Sequence, residues 1–391
     1  MGIKVSAGSY NALQTQVAGI LGTGSGDAGY GQSVASGQVT QSVSIKSAPW
    51  VNLRNDLLKA RQHQTGLDET AKISSTAVGE KIKDAIYQGA ITMGNNIVTD
   101  RLVQPPDNQV SVANLATSPA ANGWNGTINH TVVIDFASAE AMRFFFNSGS
   151  SIDISAGISG YPGSGSDKGP TWYAMFTGMG TIRMNHNSTI CTGSGTNSAI
   201  GYRQLTGSYQ QIFRKDAPAG NYSSNIYYAY ARANSATQLS FQITLQDNAG
   251  GGDDEPVDGA LYSYVKARYS YGSNVQVAVP TTNSNTVDGA WTTLTSLPLR
   301  DITPDLVTTG NATYAEFQFA ATGGIGTKTF TANATPPGFT LRSDGLLYGT
   351  SPGVGQTTPS VSGTFNVTAT DSRGYQLVQT ISYNFGPTPG Y

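Results

Sequence analysis

Apolar positions recur with a helical period along the first hundred residues and with a strand period beyond them. Tyr10, Leu13, Val17, Ile20 and Leu21 stand at i, i+3, i+7, i+10 and i+11, one face of a short helix. Trp50, Leu53, Leu57 and Ala60 repeat that spacing, with Ser47 and Pro49 where a cap and a first turn belong and Gly66 past the end. Val78, Ile82, Ala85 and Ile86 mark a third helix. Each stripe is apolar on one side only and must be buried, either against the other helices or against a partner subunit.

Pro105-Pro106-Asp107 breaks this pattern, and the period then changes to two. His130 to Phe136, Thr181 to Met184, Ile226 to Ala231 and Leu261 to Tyr269 read as strands, and Leu239, Phe241, Ile243 and Leu245 alternate most cleanly. Ser138 to Asn147 interrupts them as a short helix capped by Ser138 and closed near Gly149, with Phe144, Phe145 and Phe146 expected under a sheet. Asn248 to Pro256 is a linker or a long loop, and a second linker lies between Leu297 and Gly310. The expected fold class is mainly β. A helical region over 1–110 precedes a β-sandwich over 111–297 and an immunoglobulin-like sandwich over 298–391.

The last unit carries the most specific pattern. Pro336-Pro337-Gly338-Phe339-Thr340-Leu341 leads into Ser343-Asp344-Gly345, and Leu346-Leu347-Tyr348-Gly349-Thr350-Ser351-Pro352 returns. Asp-Gly between apolar pairs is a hairpin signal. Gly363-Thr364-Phe365-Asn366-Val367-Thr368-Ala369-Thr370-Asp371 follows, and Leu377, Gln379, Ile381, Tyr383 and Phe385 line one face of the last strand. This stretch resembles the Ig-like domains of bacterial and phage surface proteins.

Two further segments carry a second resemblance. The first holds Tyr10-Asn11-Ala12-Leu13-Gln14, Gly24 to Gln32, Asn52-Leu53-Arg54-Asn55-Asp56 and His63-Gln64-Thr65-Gly66. The second holds Ala141 to Gly149, Tyr222-Ser223-Ser224-Asn225 and Phe241 to Asp247. Together they resemble virion structural proteins of tailed phages that infect cyanobacteria and other marine bacteria. The resemblance implies a component of the tail, baseplate, neck or fibre.

Composition is consistent with that picture. Charged residues are 12% of the 391, the net charge is −2, and 47 Gly and 20 Tyr stand beside 13 Phe and 4 Trp. Such a chain has no basic footprint for nucleic acid or for anionic membranes, and its polar, uncharged sheet faces suit an extracellular or particle-bound protein. Cys191 is the single cysteine, so no internal disulfide forms. The N-terminus shows no apolar signal core, and no apolar run is long enough to span a bilayer.

Candidate chemistry is sparse. Gly24-Ser25-Gly26-Asp27-Ala28-Gly29 matches the dinucleotide fingerprint in letters, but a helical stripe precedes it where a strand is required. His63, His130 and His186 lie in separate segments without ligand spacing. Asp253, Asp254, Glu255 and Asp258 form the densest acidic group and are the calcium candidates. Trp172 and Tyr173, at the end of a Gly-rich loop, are either a glycan-stacking surface or a core anchor at a strand start. No catalytic residue, cofactor or metal is expected. Leu13, Val17, Ile20, Leu53, Leu57, Ile82 and Ile86 are expected to serve as assembly helices. The resulting expectation is a non-enzymatic virion protein that partners itself, as a trimer, and other virion proteins, without nucleic acid or membrane insertion. A receptor-binding adhesin that recognises host surface glycan and a head decoration protein are the alternatives.

Overall fold

The computed structural model describes residues 5–41, 45–77, 80–105, 107–118, 121–159, 168–249, 257–272, 274–291, 301–303, 306–309, 314–322, 327–350, 361–371 and 376–385. The protein is mainly β, with a short helical N-terminal region. Among the described residues the buried apolar side chains form three clusters, one helical, one in the central sandwich and one in the C-terminal sandwich.

Helices α1 (Ala7–Leu21), α2 (Ser47–Thr65) and α3 (Asp84–Thr99) pack pairwise. Ser6 caps α1 by accepting from Ser9 N, and Gly66, at φ 68°, closes α2. Ser47 is the first helical residue rather than the cap, which is Lys46. The third helix begins at Asp84, so Ile82 precedes it, and Val78 lies outside the described residues. The stripe that drives α3 is instead Tyr87, Ala90, Met93 and Ile97. The loop after α1 is pinned to α2 because Asp56 accepts from Ala35 N at 3.1 Å and Ser36 N at 2.7 Å.

The central domain is built from β1 (Val110–Thr117), β2 (Ala121–Asp135), α4 (Ala139–Asn147), β3 (Ser151–Ser159) and α5 (Lys168–Met179). It continues with β4 (Ile182–Met184), β5 (Thr189–Cys191), β6 (Gln210–Asp216), β7 (Ile226–Ser235), β8 (Gln238–Gln246), β9 (Val257–Ser270) and β10 (Thr281–Trp291). All ten strands join one antiparallel network that folds into two layers, β10-β2-β8-β7-β6 and β1-β9-β3-β4-β5. The layers share a corner where Ala121, Gly123 and Trp124 of β2 pair with Leu261, Asp258 and Val257 of β9. At the far edges β1 lies against β10, and Thr196 exchanges backbone bonds with Arg214 of β6. Alternation puts Ile128, Val132 and Ile134 of β2, Leu239, Phe241, Ile243 and Leu245 of β8, and Leu261, Val265 and Ala267 of β9 in the shared core.

A polar bridge crosses this core. His130 is 1% exposed. Its Nδ1 lies 2.8 Å from Ser263 Oγ and its Nε2 lies 2.8 Å from Asn285 Oδ1. Asn285 Nδ2 is committed to Thr117 O, so Oδ1 accepts from Nε2–H and the Ser263 hydroxyl donates to Nδ1. Burial holds the imidazole below its ordinary pKa, in the neutral form this arrangement needs.

Two helices seal the sandwich. Ser138 caps α4 by accepting from Ala141 N. Phe145 and Phe146 enter the core, but Phe144 turns away, against the expectation for all three. Helix α5 occupies a segment read from sequence as the end of a loop. Trp172, Met175, Phe176 and Met179 are its buried face. At its first residue Lys168 Nζ meets Asp247 Oδ2 at 2.8 Å, both side chains at or below 1% exposure.

In the C-terminal unit, the sheet β12-β19-β18-β15 (Leu306–Thr309, Gln376–Phe385, Val361–Thr370, Thr329–Ala332) packs with β13-β17-β16 (Ala315–Gln318, Leu346–Gly349, Phe339–Leu341). A short pair, β11 (Asp301–Thr303) and β14 (Ala320–Thr322), accompanies them. Strand β12 runs parallel to β19 and every other pair is antiparallel. The expected hairpin turns at Gly345, φ +91°, where a Cβ would lie 2.6 Å from Phe319 O. Phe319, Phe339, Phe365, Ile381 and Phe385 fill the core.

The buried pair at α5 gives a direct test. Lys168→Met leaves the Asp247 carboxylate in the core without its ammonium and should cost about 3–5 kcal/mol in urea unfolding, whereas Lys168→Met with Asp247→Leu recovers most of the loss.

Candidate functional site

The chemistry of the molecule gathers where the N-terminal region meets the central sandwich. The segment that resembles a dinucleotide fingerprint lies here as the loop after α1. It presents carbonyl oxygens rather than N–H groups. Arg143 of α4 donates through Nη1 to Ala28 O at 2.6 Å and through Nη2 to Thr23 O at 2.7 Å. Asn147 Nδ2 donates to Ala28 O at 2.9 Å and Gly26 O at 3.2 Å. A phosphate loop must offer donors to an anion. This one is a cradle for a guanidinium, which excludes the phosphate reading of these residues. Glu140 also holds Arg143, at 2.5 Å, and the guanidinium lies 4.7 Å above the Phe144 ring. Gly31, at φ +70°, is where Phe144 seats, since a Cβ there would fall 2.3 Å from the ring.

Two histidines stand at the same junction. His63 of α2 donates from Nε2 to Ser148 O at 2.8 Å and lies against Tyr30, ring centroids 4.8 Å apart. Its Nδ1 is buried without a partner, and burial drives its pKa down to about 4. His186 follows β4, with Nδ1 bonded to Asn187 Oδ1 at 2.7 Å and Nε2 3.8 Å from Asp27 of the loop. Asp27 is also held by Arg203 Nε at 2.9 Å. Burial, the larger influence, lowers the His186 pKa, and Asp27 opposes that shift.

Beside this junction lies a cleft of about 390 Å³, lined by Gln104, Arg183, Asn185, Asn187, Ser188 and Arg268 among others. Strand β4 aims Arg183 at Asp153 of β3, Nε to Oδ1 at 3.0 Å and Nη2 to Oδ2 at 2.9 Å, and this fork raises the Arg183 pKa. Arg268 of β9 bonds Asp107, whose side chain is 86% exposed. Of the cleft residues only His186 stood out in the sequence, as one of three histidines without ligand spacing. The signal was a pair of isolated arginines on two strands, which acquires meaning only through strand register.

The residues singled out in the sequence fall elsewhere. Trp172 is fully buried on α5 against Trp124, at 5.4 Å between ring centroids, so it anchors the core and offers no stacking surface. Tyr173, its neighbour on that helix, is 46% exposed. Asp253, Asp254 and Glu255 lie outside the described residues, and of Asp258 only its place in β9 is described. Among the described residues no group of His, Cys, Asp or Glu has metal-binding geometry. Leu13, Val17, Ile20, Leu53 and Leu57 are each at or below 5% exposure in the chain's own helical core, and Ile82 and Ile86 pack half-buried against it. The α1 and α2 stripes are closed within one chain, which corrects the expectation that they are assembly faces. Val275, between β9 and β10, completes the cluster that buries them. Among the described residues no helix is long and apolar enough to cross a membrane.

Fold and junction together define a helical clamp on a two-layered sandwich with an Ig-like unit after it. No protein-family model matches the chain, and no curated protein matches it. Among solved structures, a candidate alpha-galactosidase from Bacteroides fragilis aligns at 20% identity and TM-score 0.18. The alignment covers 21% of this chain and 16% of that one, and carries no argument about either fold or activity.

Two outcomes are expected at the junction. Arg143→Ala removes the cradled guanidinium, should cost about 2–3 kcal/mol, and should speed amide hydrogen exchange over residues 22–32, while Arg143→Lys restores only part. His63 gives a pH dependence. Below its ordinary value of 6.5 the unfolded chain takes up a proton that the folded chain refuses until about pH 4. Stability should therefore fall by about 3 kcal/mol as pH drops across that window. His63→Gln keeps the donor to Ser148 O, and urea midpoints measured between pH 7 and pH 4 should then decline less steeply than in the parent chain.

Proposed function

We propose that the chain is a non-catalytic architectural protein of a virion of the tailed-phage type, in the tail, baseplate, neck or fibre. One observation carries this reading. Three of the buried ionisable side chains that catalysis would draw on, His63, His130 and Lys168, are engaged in joining elements. His63 ties α2 to the end of α4, His130 ties β2 to β9 and β10, and Lys168 ties α5 to the end of β8. The Ser263 hydroxyl that contacts His130 is fully buried, with no path for a substrate. The sequence resemblance across residues 10–250 supports the particle, and the Ig-like unit suits a projecting domain.

Because the helical stripes are closed, assembly falls to the sandwich surfaces or to docking on other virion proteins. Mass spectrometry of purified particles from the system that encodes the chain should find it at a fixed ratio to the other structural proteins. Its absence from washed particles would overturn the proposal. Light scattering on the isolated chain then separates the two routes, an oligomer pointing to self-association and a monomer to docking.

A further inference from the structure

We infer that the cleft beside Arg183 and Arg268 is a binding site for an anionic sugar, a ring bearing a carboxylate or a sulfate. This goes beyond the architectural reading and stands apart from it.

The argument begins with the two guanidiniums. An arginine fork matches an oxyanion in both spacing and charge. Arg183 already spends its fork on Asp153, which is 7% exposed. That pair is fixed structure. Arg268 differs. Its side chain is 13% exposed, but its partner Asp107 is 86% exposed. An ion pair with so exposed a member contributes little, so an incoming anion can displace Asp107 from Arg268 at small cost. Lys266 lies opposite Asp153 in register and on the same face of β9 as Arg268. Lys266 itself stands outside the lining, its Nζ 4.9 Å from the Tyr264 ring centroid. The charged side chains that do line the cleft are the two arginines, with no carboxylate among the lining residues. His186, which also lines it, is held neutral by burial.

The neutral lining selects a sugar over a bare ion. Asn185, Asn187 and Ser188 form one turn at the rim. The Asn185 carboxamide and the Ser188 hydroxyl make no side-chain hydrogen bond among the described residues, and Asn187 uses only its Oδ1, toward His186. These are donors and acceptors for hydroxyl groups. Ile190, opposite Arg183 in register and 46% exposed, supplies an apolar wall for ring C–H groups. The volume falls within the range of small-ligand sites.

The same sheet face offers room for further sugar units. Two and four residues back along β9 from Lys266 stand Tyr264 and Tyr262, ring centroids 6.3 Å apart and planes 12° from parallel. Opposite them β3 carries only Ser155 and Gly157, and a Cβ at Gly157 would meet nothing within 4 Å. The floor beside the tyrosines is therefore low. From Arg268 to Tyr262 the strip runs about 20 Å at strand rise. Nucleic acid fits it poorly, since binding a phosphate backbone requires several unpaired cations in a row.

The test uses the full chain and calorimetry with trigalacturonate, a sulfated galactose trisaccharide, neutral galactotriose and citrate. At least one anionic trisaccharide should bind at least tenfold tighter than galactotriose and citrate, and the two anionic arms tell carboxylate from sulfate. Arg268→Gln should weaken that binding about tenfold or more at an unchanged melting temperature. Asp107→Asn removes the competing carboxylate and should tighten it, an effect that misfolding cannot mimic. The inference is overturned if no anionic sugar binds at millimolar concentration. It is also overturned if neutral and anionic sugars, or citrate, bind alike, or if Asp107→Asn fails to tighten binding. None of these results bears on whether the chain is found in particles.

Discussion

Strands β2 and β9 each serve both layers of the central sandwich, and the rest of the domain depends on their pairing. Where Ala121 to Trp124 meets Val257 to Leu261, the hydrogen-bonded ladder turns the corner without a break. Beyond that corner β2 is flanked by β8 and β10, while β9 is flanked by β1 and β3. Every other strand is therefore placed by register from one of these two. A slip of one residue in either would turn Ile128, Val132, Leu261 and Val265 out of the core. The His130 bridge to Ser263 and Asn285 fixes the same register a second time, because its polar atoms are satisfied only in this alignment.

The N-terminal region is held by the same kind of accounting. A guanidinium that is 14% exposed must find acceptors, and the loop after α1 supplies them from its backbone. With no disulfide in the chain, polar contacts of this sort do the fastening. Arg143 and Asn147 bind the loop, His63 binds the end of α4, and Gln32 exchanges two bonds with Gln276. They also position the cleft, whose walls come from the segment after α3, from the β4–β5 hairpin and from β9.

Much of this was legible in the sequence. The stripes of α1 and α2, the Ser138 cap, the alternation of β8 and the Asp344-Gly345 hairpin are local signals set by periods of 3.6 and 2 and by turn chemistry. Helix α5 carries a local signal as well, since Trp172, Met175, Phe176 and Met179 follow the helical period and Pro170 sits in the first turn, where proline is tolerated. Strand β10 could not have been read in the same way. Its residues are mostly Thr, Asn and Ser, and it is a strand because β2 offers it an edge.

The sequence by itself determined the mainly β class, the helical start, the C-terminal sandwich and the absence of an internal disulfide, because each depends on composition or on neighbours within a few residues. Only the tertiary structure decided where the helical stripes go. An amphipathic face specifies that it must be buried but not by what, and Val275 and the other helices of the same chain supply the cover. It also decided that Trp172 belongs to the core, and that Arg183 and Arg268, 85 residues apart in the chain, share one cleft. Strand register, which alone brings them together, is a long-range property that no short window of sequence contains.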